Sequence, residues 1–126
     1  VWHRFLLEGW SSFDRARGVR DAMPARTSEL WDSVLAIGIE DPRGVAAGHA
    51  YRVQGGVLAC LPPAVLVQPW IPSQWRRAVG LKGNCTKLQV MAHVADRIPS
   101  DWVSDACDAY CVALATRAAI TIEAAA

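Results

Sequence analysis

Four cysteines are spread through the 126 residues, but Cys60, Cys85, Cys107 and Cys111 form no Cys-x-x-Cys pair and have no histidine at zinc-finger spacing. That argues against a structural zinc site and leaves reduced thiols as the plainer reading. No apolar run approaches the roughly 20 residues that span a bilayer, and no charged segment followed by an apolar signal core opens the chain. The expectation is a cytoplasmic protein with no membrane partner. A Gly-rich phosphate loop and a Rossmann fingerprint are both missing, which makes a small-molecule enzyme built on either a remote reading. Internal repeats and low-complexity linkers are missing too. Charge is nearly balanced, 13 Lys+Arg against 12 Asp+Glu, so any attraction for nucleic acid has to be local. His3, His49 and His93 share no metal-ligand spacing and are read as structural or surface residues.

What the chain does have is apolar material. Hydrophobic residues make up 52% and charged residues 20%, enough for one soluble domain over residues 1–126 with a core of its own. Trp2 to Leu7 is strand-like directly from Val1, as in a chain that enters partway through a domain. Helical spacing follows from Ser12 to about Val34, with a break at Pro24. The run Val34 to Glu40 reads as a strand buried on both faces. Asp41-Pro42-Arg43-Gly44 is a turn, and Val45 to Leu61 is helical until Pro62-Pro63 stops it. Ala64 to Gln68 reads as a second buried strand, Pro69 to Cys85 as a loop, Thr86 to Arg97 as a helix, and about Trp102 onward as a last helix started by Pro99-Ser100-Asp101. Strands alternating with helices predict an α/β fold, a sheet covered by helices.

Three carboxylates stand out against this frame. Asp105 and Asp108 lie one turn apart at the start of the last helix, where Cβ atoms about 5–6 Å apart can address a common point. The helix dipole favours their ionised forms. Glu40 ends a strand, at the carboxyl edge where open α/β sheets place ligands. Ionised carboxylates are rarely buried without a positive partner, and an all-oxygen set suits Mg²⁺ or Mn²⁺ better than zinc. Such ions serve phosphodiester cleavage. The competing reading of Asp105 and Asp108 is a solvated helix face, against which stand the apolar neighbours Ala106, Cys107, Ala109, Val112, Ala113 and Leu114.

Ile37-Gly38-Ile39-Glu40-Asp41-Pro42, then Gly48-His49-Ala50 and Gly55-Gly56-Val57, then Gly83-Asn84-Cys85-Thr86-Lys87, then Asp105-Ala106-Cys107-Asp108-Ala109, together resemble the RuvC family of Holliday junction resolvases, particularly its phage-type members. The resemblance covers about Leu35 to Ala118. It implies a ribonuclease H-like, integrase-type fold with a mixed sheet flanked by helices, and a Mg²⁺-dependent endonuclease that resolves four-way DNA junctions as a homodimer. Glu40 would match the metal-binding glutamate after the central strand, and Asp105 and Asp108 the paired aspartates of the last helix. Lys87 would be a basic group at the scissile phosphate or junction backbone. The family's fourth carboxylate, an Asp on its first strand, has no counterpart here, and Asp14, in a helical context, is a poor substitute. The resemblance therefore implies that opening strands are missing or that the member is degenerate, and in either case that metal binding and cleavage are weak.

Trp70, Trp75, Arg76, Arg77, Lys82 and Lys87 concentrate rings and positive charge in one stretch. Arg76, Arg77, Lys82 and Lys87 are candidate DNA phosphate contacts, with the rings stacking on unpaired bases. Core packing beside Pro69 and Pro72 is the favoured reading of Trp70 and the competing one for Trp75, and exposed arginines are ordinary surface. Two functions follow: a metal-dependent nuclease for branched DNA, or a non-catalytic ribonuclease H-like module that binds DNA or protein.

Overall fold

The computed structural model describes residues 18–41 and 47–125. The expected strand before Gly9, Asp14, His3, the side chain of His49 and the turn after Asp41 lie outside the described residues. The architecture is mixed α/β, with a small two-stranded parallel sheet and helices. In chain order the elements are β1 (Ala36–Glu40), α1 (Ala47–Cys60), β2 (Leu66–Trp70), α2 (Pro72–Ala78), α3 (Lys87–Val94) and α4 (Ser104–Ala125). They divide into two compact units, residues up to 35 with 42–66, and residues 36–41 with 67 onward.

In the first unit, residues 18–22 are helical and the helix ends just before Pro24, where a proline ring would clash with the preceding turn. A 3₁₀ helix, Glu29–Ser33, follows, capped by Ser28, whose hydroxyl accepts from the Leu30 N–H at 3.3 Å. Among the described residues, the helical stretch expected up to Val34 is interrupted at Pro24, as two separate helices. The Trp31 indole N–H donates to the Ala25 carbonyl at 2.9 Å, and the Arg26 guanidinium donates to the Ala59 carbonyl at the end of α1. Val19, Leu61 and Val65 are buried.

The second unit is organised by α4, which packs against β1, α2 and α3. Cys107, Cys111 and Ala115, at helical spacing, are buried together with Trp75, Val90 and Val94 in one apolar cluster. Two of this unit's helices start for a clear local reason. Pro72 occupies the first turn of α2, and the Gln74 side chain accepts from the Ile71 N–H at 3.2 Å. Thr86 caps α3 reciprocally with Gln89: its hydroxyl accepts from the Gln89 N–H at 3.2 Å, and the Gln89 side chain accepts from the Thr86 N–H at 2.8 Å. Such a capping box satisfies two N–H groups that the helix leaves unpaired.

Three expectations need correction here. The second strand runs two residues later than Ala64–Gln68, through Pro69 to Trp70. Neither strand is buried on both faces: β1 is half-buried throughout, and Leu66 is 62% exposed. Among the described residues each strand is an edge, where proline removes no ladder bond that a neighbour needs. The stretch Pro69–Cys85 is also not all loop, because it contains α2.

Close contact between β1 and α4 depends on Gly38. A Cβ built there would lie 2.1 Å from Thr116 Oγ1 and 2.8 Å from a Val112 methyl. The Thr116 hydroxyl is itself fixed, donating to the Val112 carbonyl at 2.8 Å and accepting from the Trp70 indole at 2.9 Å.

Candidate functional site

With Gly38 seated on Val112 and Thr116, strand and helix geometry brings the carboxylates together. Two residues along a strand advance about 6.6 Å, and four residues along a helix about 6 Å. Stepping from Gly38 to Glu40 therefore matches stepping from Val112 back to Asp108. A cleft of about 270 Å³ results, lined by Gly38, Ile39, Glu40, Asp105, Asp108, Ala109 and Val112. All three carboxylates singled out in the sequence line it. A second cleft, of about 280 Å³, is lined by Met91, Ala92, Ala95, Ile98, Pro99, Ser100, Trp102 and Cys107 and carries no acidic or basic side chain.

The three acids are held differently. Glu40 accepts a hydrogen bond from the Trp75 indole N–H, Nε1 to Oε2 at 2.7 Å. Asp105 pairs with Lys87, Nζ to Oδ1 at 3.2 Å, with both side chains mostly in water. Asp108 is half-buried, and its Oδ1 is shielded from solvent without a hydrogen-bond partner. Burial is the main force pushing the Asp108 carboxyl above its ordinary range. The neighbouring Glu40 charge adds to it, Lys87 and Arg76 oppose it, and Asp105 adds a smaller push. The same burial raises the thiols beneath: Cys107 is shifted upward and Cys111 is pushed up to about 11, with the Asp108 charge contributing to both. These cysteines are protonated packing groups at neutral pH, not nucleophiles.

As a test of fit for a divalent cation, the donor chemistry is right: oxygen only, with one carboxylate oxygen dry and unpartnered. Among the described residues, however, no three ligand-type side chains are gathered into a metal-binding group. Glu40 and Asp105 each face a donor from the protein instead.

The basic residues separate by exposure. Arg77, Lys82 and Lys87 are exposed. Arg76 is half-buried, with its guanidinium carbon 5.2 Å from the Trp75 ring centroid, Nη1 donating to the Gly83 carbonyl at 3.2 Å, and Nε buried without a partner. Arg77 lies over Gly83, where a Cβ would come within 3.0 Å of its Nε. Trp75 is completely buried, so base stacking is closed to it. Trp70, partly buried against the core, bonds to Thr116. The residue that sequence reasoning missed is Trp75 as the donor to Glu40; Pro72, a frequent first-turn residue, was the available sign that a helix carries it.

No protein-family model, curated protein or solved structure matches this chain. Among the described residues, no helix is long and apolar enough to cross a membrane.

Proposed function

We propose that the chain is a ribonuclease H-like, Mg²⁺- or Mn²⁺-dependent endonuclease module acting on branched DNA, with Glu40, Asp105 and Asp108 as the cation ligands. The observation that carries this reading is the dry, unpartnered Oδ1 of Asp108 in a cleft that Glu40 and Asp105 also line. A buried carboxylate of this kind is stabilised by a cation far better than by an apolar wall. A bound divalent ion supplies water activation and charge neutralisation for phosphodiester hydrolysis. The protein's own groups do the rest. Asp108 and Glu40 concentrate negative charge at the floor of the cleft. Lys87, one salt bridge away from Asp105, is free to exchange that partner for a phosphate, because an exposed ion pair holds it only weakly. Arg77 and Lys82 offer further phosphate contacts, and Arg76 sits within electrostatic reach of Asp108. The partners proposed are a four-way junction and a second copy of the chain.

The test is cleavage of a synthetic four-way junction with Mg²⁺, beside Mn²⁺ titration of the protein alone. Glu40→Gln and Asp108→Asn should abolish both, whereas Arg76→Ala with Arg77→Ala should weaken DNA binding and flatten its salt dependence. The second reading, a non-catalytic DNA- or protein-binding module, draws on the carboxylates not being gathered into a three-ligand group. Junction binding that is indifferent to Mn²⁺ and to Glu40→Gln, without cleavage, would select it.

A further inference from the structure

We propose that Trp75 is a positioning residue for Glu40, its buried indole N–H fixing the carboxylate at the cleft before any cation arrives. This rests on the cation-site reading above. Trp75 is 0% exposed, so its N–H has no access to water and needs an acceptor inside the protein. Glu40 Oε2 at 2.7 Å is that acceptor, and a charged acceptor makes the bond stronger than a neutral one. The ring cannot swing away, because it belongs to the same apolar cluster as Val90, Val94 and Cys111, and the Arg76 guanidinium lies over it.

Glutamate ordinarily has several rotamers to lose when it binds an ion. Here the core has already removed that freedom, which is the physical content of preorganisation. Asp105 has no comparable restraint, since Lys87 is exposed and flexible. The cleft thus has one ligand set by the hydrophobic core and one set only by solvent-exposed charge.

Three measurements on the whole chain test this. In the metal-free protein, the Trp75 indole N–H resonance should move in Glu40→Gln, reporting the hydrogen bond directly. Trp75→Phe keeps a ring in the core and removes the N–H, and should bind Mn²⁺ about tenfold more weakly, in the range typical for groups that orient a metal ligand. β-(3-Benzothienyl)alanine at position 75 replaces the N–H by sulfur with little change of shape, and should show the same loss at unchanged melting temperature. If the phenylalanine and benzothienyl variants bind Mn²⁺ like the wild type while Glu40→Gln does not, the positioning role is wrong and the cation site stands. If the wild type itself fails to bind Mn²⁺, the cation site is wrong and the positioning role falls with it.

Discussion

Asp105 and Asp108 are one turn apart on α4 and line the same cleft, yet they are held very differently. The Asp105 side chain is 84% exposed and its ion pair with Lys87 is open to water, so the pair contributes little to stability and weakens with salt. Asp108 belongs to the stripe that reaches Val112 and faces β1. There it loses water, gains the repulsion of Glu40, and keeps one oxygen unpartnered. Identical chemistry at neighbouring positions thus acquires opposite character from what each position faces. A pair of aspartates on a helix is neither a solvated face nor a site as a unit; each member has to be judged against the element opposite.

The contrast between the buried and the exposed wall of the cleft can be broken most severely at Trp75. Trp75→Ala should destabilise the chain by about 3–5 kcal/mol, by emptying the core behind Glu40. Urea unfolding measures it, and a loss as small as that of an exposed residue would mean the ring is not the buried wall. Gly38→Ala comes next. Forcing a methyl against Thr116 and Val112 should cost about 1–3 kcal/mol, seen as a lower melting temperature, and an unchanged one would show that β1 and α4 are not in close contact.

Asp108→Asn sharpens the contrast through pH. The folded chain binds the Asp108 proton more tightly than the unfolded chain does, since burial and Glu40 raise the carboxyl above its ordinary value. This group's contribution is therefore most favourable below the ordinary carboxylate pKa and is lost as pH rises through the raised value. Removing the charge should make the metal-free protein more stable at neutral pH and should flatten that part of the stability profile. A neutral-pH loss of stability would place Asp108 in a favourable partnership instead. The smallest effect belongs to Lys87→Ala, about 0–1 kcal/mol and shrinking further in high salt; a larger loss, insensitive to salt, would move Lys87 and Asp105 to the buried side of the comparison.

Much of this arrangement was readable in the sequence. Glu40 closes an apolar run, which placed it at the end of a strand, and the spacing of Asp105 and Asp108 placed both in the first turns of a helix. The helix expected from about Thr86 begins at Lys87, with Thr86 as its cap. The contact between Trp75 and Glu40 was not readable: it joins residues 35 apart in sequence, and a seven-residue helix that opens on Pro72 is too short to show a helical period. The position of β2 was misjudged because the apolar peak at Val65 and Leu66 precedes the strand's end at Trp70. Apolar character marks where a chain is buried, whereas strand limits follow hydrogen bonding. How each carboxylate is partnered was equally hidden, since neighbours in space decide it.

Gly38 has one more implication. Because the bare backbone of Gly38 meets the Thr116 and Val112 side chains of α4, the width of the acidic gap follows from how closely those two side chains let the helix approach the strand. Exchange of the carboxylates can rewrite charge and ion preference while the aperture stays constant; altering the aperture itself requires a change at position 38, 112 or 116.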